Sequence, residues 1–207
     1  MYVNNWLTRR AQLSPDKVAL VDTLNDDGRI TYRQWNRRVN LTANLLRDRL
    51  SVGQRDRVAI LASNCVEYLD LWFACGKIGA IVQLLNWRLT AHELAGLIAD
   101  GSPSVLVHGP EFEALVAELR AAATDVGRYV ALGQPTAADD TAFSERAQYP
   151  DSEPPEVDLA WDDPWAICYT GGTTGFPKGA ILSHRSITAN SVNTVMSWGL
   201  TADDVAI

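Results

Sequence analysis

The densest run of chemistry-bearing residue types lies between Tyr169 and Gly179, which reads Tyr-Thr-Gly-Gly-Thr-Thr-Gly-Phe-Pro-Lys-Gly. Gly171, Gly172 and Gly175 let the backbone turn tightly and bring its N–H groups against a ligand, while Thr170, Thr173 and Thr174 add hydroxyl donors. Lys178 supplies an ammonium on a long stem, and Pro177 restricts the chain just ahead of it, so less entropy is lost when the loop orders. Backbone donors, hydroxyls and a cation on one short loop are the parts of a phosphate cradle. The candidate ligand-binding residues are therefore Thr170, Gly171, Gly172, Thr173, Thr174, Gly175 and Lys178. The bland alternative is a ligand-free hairpin, against which the lysine and the flanking apolar runs weigh.

Two familiar phosphate loops do not fit. The P-loop NTPase pattern needs Gly before the Lys and Ser or Thr after it, but Pro177 and Gly179 stand there. The dinucleotide fingerprint needs Gly where Thr170 stands and should open a helix, whereas this loop runs into the apolar Ala180-Ile181-Leu182.

The run Tyr169-Thr170, Gly172-Thr173-Thr174-Gly175, Pro177-Lys178-Gly179, with His184 downstream, closely resembles the signature of the adenylate-forming superfamily. That superfamily comprises acyl-CoA synthetases, peptide-synthetase adenylation domains and firefly-type luciferases. Ile30-Thr31-Tyr32, Arg57-Val58-Ala59-Ile60 with Asn64, Gly76 to Gly79, and Asn86-Trp87-Arg88-Leu89-Thr90 leading to Glu93-Leu94 are similar to family segments too, and the Asn-x-Arg-Leu piece points to the acyl-CoA synthetase, or fatty-acid-CoA ligase, branch.

The resemblance implies ATP-dependent activation of a carboxylic acid, fatty or otherwise hydrophobic. The carboxylate attacks the α-phosphate of ATP, pyrophosphate leaves, and the acyl-adenylate passes its acyl group to coenzyme A, with Mg2+ and the loop meeting the charge that develops on the phosphates. Two residues depart from the pattern: Gly171 replaces a common Ser, and Trp87 stands where many relatives have Pro. The family's adenine-binding segment, its Thr-Glu pair, its ribose-binding Asp, its hinge and its catalytic Lys would all lie beyond Ile207. The expectation is an N-terminal portion of the AMP-binding domain, without the rest of that large domain or the C-terminal domain, belonging to an acid–thiol ligase. The chain by itself is expected to be inactive. Neither a catalytic residue nor a metal ligand is assigned within it. Two alternatives remain: an adenylation domain of a peptide synthetase, and a non-catalytic scaffold that binds nucleotide or a partner.

The elements that must hold this loop read as an alternation of strand and helix. An opening amphipathic helix over 3–13 precedes a strand at 18–21 and a turn at 25–28. Capping boxes at Thr31-Gln34 and Thr90-Glu93 start two helices, the first running on towards Gly53 and the second to Gly101. Apolar runs predict strands at 58–62, 80–85, 104–108 and 128–132, with helices over 65–76 and 110–123 between them. Strands 165–169 and 179–182 flank the loop, Ser183 caps a helix to Trp198, and 203–207 starts a further strand. Uninterrupted apolar strands between helices predict an α/β fold with a mostly parallel sheet covered on both faces. The expected organisation is an α/β subdomain over 1–132, a linker over 133–164 rich in Asp, Glu, Pro, Ala and Ser, and the loop with its following helix over 165–207.

Composition bounds the function classes. With 47% hydrophobic and 21% charged residues over 207 positions, the chain has the make-up of a folded protein. A formal charge of −7 without a basic cluster argues against a nucleic-acid partner. No apolar stretch reaches the roughly 20 residues of a membrane span, and Cys65, Cys75 and Cys168 sit apart in apolar segments, as reduced thiols do in the cytoplasm, where the chain is expected. The partners implied are the acid, ATP and coenzyme A, and self-association of the chain is expected because surface meant for missing parts would be exposed. His184, Arg88 and the pair Asp162-Asp163 are read as structural or solvated. Trp35, Tyr68, Trp72 and Phe73 are read as core.

Overall fold

A computed structural model describes residues 3, 6–23, 28–122, 125–171 and 177–205. Its centre is a seven-stranded sheet made of β3 (Arg57–Leu61), β4 (Ile81–Leu84), β5 (Val105–His108), β6 (Arg128–Ala131), β7 (Thr141–Ala142), β8 (Pro164–Thr170) and β9 (Lys178–Ser183), in the spatial order β7-β6-β5-β3-β4-β8-β9. Every neighbouring pair is parallel except β8 and β9, which form an antiparallel hairpin. The period-2 geometry of a strand divides β3 between two cores. Val58 and Ile60 join one apolar cluster, and Ala59 and Leu61 join the other. Both faces are therefore buried, which is why these strands read as unbroken apolar runs.

Helices α2 (Tyr32–Asn44) and α3 (Val66–Ile78) cover one face through Trp35, Val39, Leu71, Ala74 and Ile78. The other face carries α4 (Ala91–Gly101) and α5 (Glu113–Ala121), which bury Leu94, Leu97, Ile98, Val116 and Leu119. Both expected capping boxes form: the Thr31 hydroxyl accepts from Gln34 N–H while Gln34 accepts from Thr31 N–H, and Thr90 and Glu93 do the same. Before them, α1 (Trp6–Leu13) packs on α2, and β1 (Val18–Asp22) pairs with β2 (Gly28–Thr31) in a separate antiparallel ribbon. Strand β2 was not expected, since its four residues carry too little apolar signal. The turn expected at 25–28 falls mainly outside the described residues.

Three other details differ from expectation. The chain after α2 winds one π turn, Leu45–Arg49, so that Leu45, Leu46 and Leu50 are all buried before Gly53 is reached. Residues 133–164, expected as a linker, contain β7, a 3-10 turn (Phe143–Gln148) and a strap without regular structure over 149–163. The strap is fastened by side chains. Asn44 Nδ2 donates to the carbonyls of Pro150 (2.7 Å) and Ser152 (3.1 Å), and Asn40 Nδ2 donates to that of Asp151 (2.9 Å). Buried Lys77 donates to Glu153 (2.6 Å), Asn36 (2.7 Å), Asn40 (2.7 Å) and Thr8 (2.8 Å), tying strap, α1, α2 and α3 together. Finally, 203–205 is not a strand; Asp204 closes a turn by accepting from Thr201, and 206–207 lie outside the described residues.

Arg38 and Arg146 converge on Asp70, which is fully buried in α3. Burial pushes its carboxyl up and the two guanidiniums pull it down, with the net direction upward. Among the described residues no helix is long and apolar enough to cross a membrane.

Candidate functional site

The loop singled out from sequence joins β8 to β9 at the carboxyl edge of the parallel sheet, where ligands of open α/β sheets bind. Thr170 is the last residue of β8 and Lys178 the first of β9; they face each other in register, and the Thr170 hydroxyl donates to the Lys178 carbonyl at 3.4 Å. Both side chains are exposed. A Cβ at Gly171 would meet nothing within 4 Å. Gly172, Thr173, Thr174 and Gly175 lie outside the described residues, as does Phe176. The described stems thus bring Thr170, Gly171 and Lys178 together, and these residue types, a hydroxyl, a bare backbone and an ammonium, fit a polyphosphate with its Mg2+. Among the described residues no group of three or more His, Cys, Asp or Glu is arranged to hold a metal ion.

The stem is held on both faces. On the α4 side, the Tyr169 hydroxyl donates to Asp100 Oδ2 (2.8 Å) and lies 3.2 Å from the Leu97 carbonyl, while buried Gln83 donates to the same carbonyl (2.8 Å) and contacts the phenol at 3.4 Å. Burial, then the bond to Asp100 and its charge, push the Tyr169 phenol well above its ordinary range, so it stays a donor. Gly179 makes room for the ring, since a Cβ there would come within 3.3 Å of Tyr169 Cε1. Nothing in the sequence links Tyr169, Gln83 and Asp100 directly. The available signal was Gln83, a polar residue inside the apolar run Ile81–Leu85.

On the α3 side, Trp165 packs against Trp72 (centroids 5.7 Å) and Phe73 (5.9 Å), and its Nε1 donates to the Trp72 carbonyl. Gly76 permits this, because a Cβ there would sit 2.7 Å from the Trp165 ring. His184 stacks on Trp165 at 4.8 Å and 17°, fully buried, with neither imidazole nitrogen bonded among the described residues. Burial lowers its pKa, partly offset by Asp163. A cleft of about 520 Å3 opens beside this aromatic set, lined by Asn64, Cys65, Tyr68, Leu69, Trp72 and Phe73. Tyr68, Trp72 and Phe73 are thus half-buried at the cleft wall, whereas Trp35 is in the core. Arg88 lies over the exposed Trp87 ring at 4.2 Å. Asp162 pairs with Arg185 (2.7 Å), and Asp163 caps Ala160 N–H (2.8 Å).

A sequence model of the AMP-binding enzyme family matches residues 7–207. This chain belongs to that family. Among its relatives, a feruloyl-CoA synthase of Amycolatopsis is 39% identical over 99% of the chain, and the long-chain-fatty-acid–CoA ligase FadD13 of Mycobacterium tuberculosis is 34% identical over 96%. The inhibitor-bound N-terminal domain of FACL13 from Mycobacterium tuberculosis superposes on 98% of the chain with a TM-score of 0.82 at 31% identity. The chain spans 38% and 37% of the two curated relatives and 48% of that solved domain. As an AMP-binding enzyme fold it has the expected α/β architecture with a mostly parallel sheet flanked by helices.

Proposed function

We propose that the loop between β8 and β9 grips the β and γ phosphates of Mg-ATP, and that the protein carrying this chain joins a hydrophobic carboxylic acid to coenzyme A through an acyl-adenylate. The observation that carries this reading is the pairing of Thr170 with Lys178 across the mouth of a glycine-rich loop on the sheet's carboxyl edge, in a chain of the AMP-binding family. Lys178 and the threonine hydroxyls bind and orient the polyphosphate, and Mg2+ neutralises charge on the departing pyrophosphate. The relatives, a feruloyl-CoA synthase and a long-chain-fatty-acid–CoA ligase, support a hydrophobic acid.

Calorimetry with Mg-ATP tests the loop. Lys178→Ala is expected to weaken binding about ten- to hundredfold, the worth of one charged hydrogen bond; unchanged affinity overturns the reading. For the whole protein, acid-dependent ATP–pyrophosphate exchange and thioester formation should both be seen. By itself the 207-residue chain is expected to give neither, and exchange abolished by Lys178→Ala in that chain would refute this. Exposed Ile181, Val192, Val195, Met196 and Trp198 on β9 and the last helix also support self-association of the chain.

A further inference from the structure

We infer that Tyr169 and Asp100 form a positioning pair that sets where the phosphate loop leaves the sheet, acting on ATP through the loop without touching it. The inference rests on the reading of that loop as the Mg-ATP grip. Tyr169 is one residue before the strand's last position and so about 3.3 Å from Thr170 along the chain. Its ring lies across the hairpin, over Gly179, which is its register partner on β9. Its hydroxyl reaches the last turn of α4, at the Asp100 carboxylate and the Leu97 carbonyl. A single side chain therefore couples both strands that carry the loop to a helix whose other face is packed in the core through Leu94 and Ile98.

The surroundings are shaped for this contact. Gln83, which is fully buried, pairs in register with Ile167 of β8 and fills the space between α4 and the phenol. That space exists because Gly101 has no side chain; a Cβ there would overlap the Gln83 amide.

Stability alone does not account for the bond. Asp100 is exposed and would be hydrated if the phenol were absent, and the Leu97 carbonyl would keep its bond from Gln83. Losing the hydroxyl should thus cost the fold little. Its consequence falls on the loop one residue away, where a displacement on the order of 0.5 Å already degrades a binding geometry.

The test is Mg-ATP calorimetry on the chain, with a thermal melt of each variant beside it. Tyr169→Phe and Asp100→Ala should each weaken Mg-ATP about three- to tenfold, the worth of one neutral to charged hydrogen bond, with little change in melting temperature. Asp100→Asn should restore affinity to within about twofold, because its amide oxygen still accepts from the phenol. If the parent chain binds Mg-ATP and loses it on Lys178→Ala while Tyr169→Phe and Asp100→Ala bind normally, the positioning pair is overturned and the loop reading stands. If affinity falls only in step with melting temperature and Asp100→Asn does not rescue it, the role is structural and the inference fails. If the parent chain does not bind Mg-ATP, the loop reading fails and the pair falls with it.

Discussion

The strap over 149–163 and the helix α6 (His184–Trp198) are opposites. The strap has no regular structure, yet Asn40, Asn44 and Lys77 hold its backbone and Glu153, Gln54 donates to the Asp158 carbonyl, and a Cβ at Gly79 would collide with its Leu159. Helix α6 is regular over fifteen residues with a Ser183 cap, yet His184 alone among them is buried, and Val192, Val195, Met196 and Trp198 face solvent. Regularity and attachment are separate properties. A helix satisfies its own backbone, so it needs few partners to persist, while an irregular segment must find a partner for each carbonyl elsewhere.

If that contrast is right, damage should be large under the strap and small on α6. The largest effect is expected for Asp70→Ala, which removes the buried carboxylate that Arg146 and Arg38 share, leaving them the partly exposed Glu67, where α2, α3 and the 3-10 turn leading into the strap meet; about 3 kcal/mol should be lost in a urea titration. Asn44→Ala leaves the carbonyls of Pro150 and Ser152 without their donor, and a loss of about 1–3 kcal/mol should accompany faster proteolysis within 149–163.

His184 gives a pH-dependent test where α6 meets Trp165. Its folded pKa lies below the unfolded value, so the unfolded chain binds the extra proton first. Its stabilising contribution is full above the unfolded value of about 6.5 and is lost as pH falls through the folded value, at up to roughly 1.4 kcal/mol per pH unit. His184→Phe keeps a ring against Trp165 and should flatten that part of the stability profile. The smallest effect belongs to Met196→Ser with Trp198→Ser. Stability should move by less than about 0.5 kcal/mol, while the mass by light scattering at high concentration falls towards the monomer. A large loss of stability there would show that α6 is attached more firmly than the contrast allows.

Much of the architecture was legible because local signals and burial agree. Val58 to Leu61 and Val105 to Val107 are apolar on both faces because helices cover both, and Thr31 and Thr90 announce their helices by satisfying orphan amides. The loop stood out in the sequence because Gly, Thr and Lys are residue types suited to phosphate; of those candidates, the structure describes Thr170, Gly171 and Lys178, at its stems. The strap's anchorage was hidden, since Asn36, Asn40 and Asn44 look like the polar face of any helix until the carbonyls of 150–152 are laid against Asn40 and Asn44. Asp100 was hidden for the same reason: an exposed helix carboxylate acquires meaning only from a phenol sixty-nine positions later in the chain.

The π turn at Leu45–Arg49 has a consequence for how this fold can vary in length. A π turn is an α-helix with one residue inserted, and each residue of a helix turns the chain by about 100°. Deleting one residue there would relax the turn to ordinary α-winding, leaving Asn40 and Asn44 upstream in place. Deleting one in α3 would swing Gly76 away from Trp165 or Lys77 away from Glu153. Homologous chains that differ by one residue in this region should carry the change between Leu45 and Leu50.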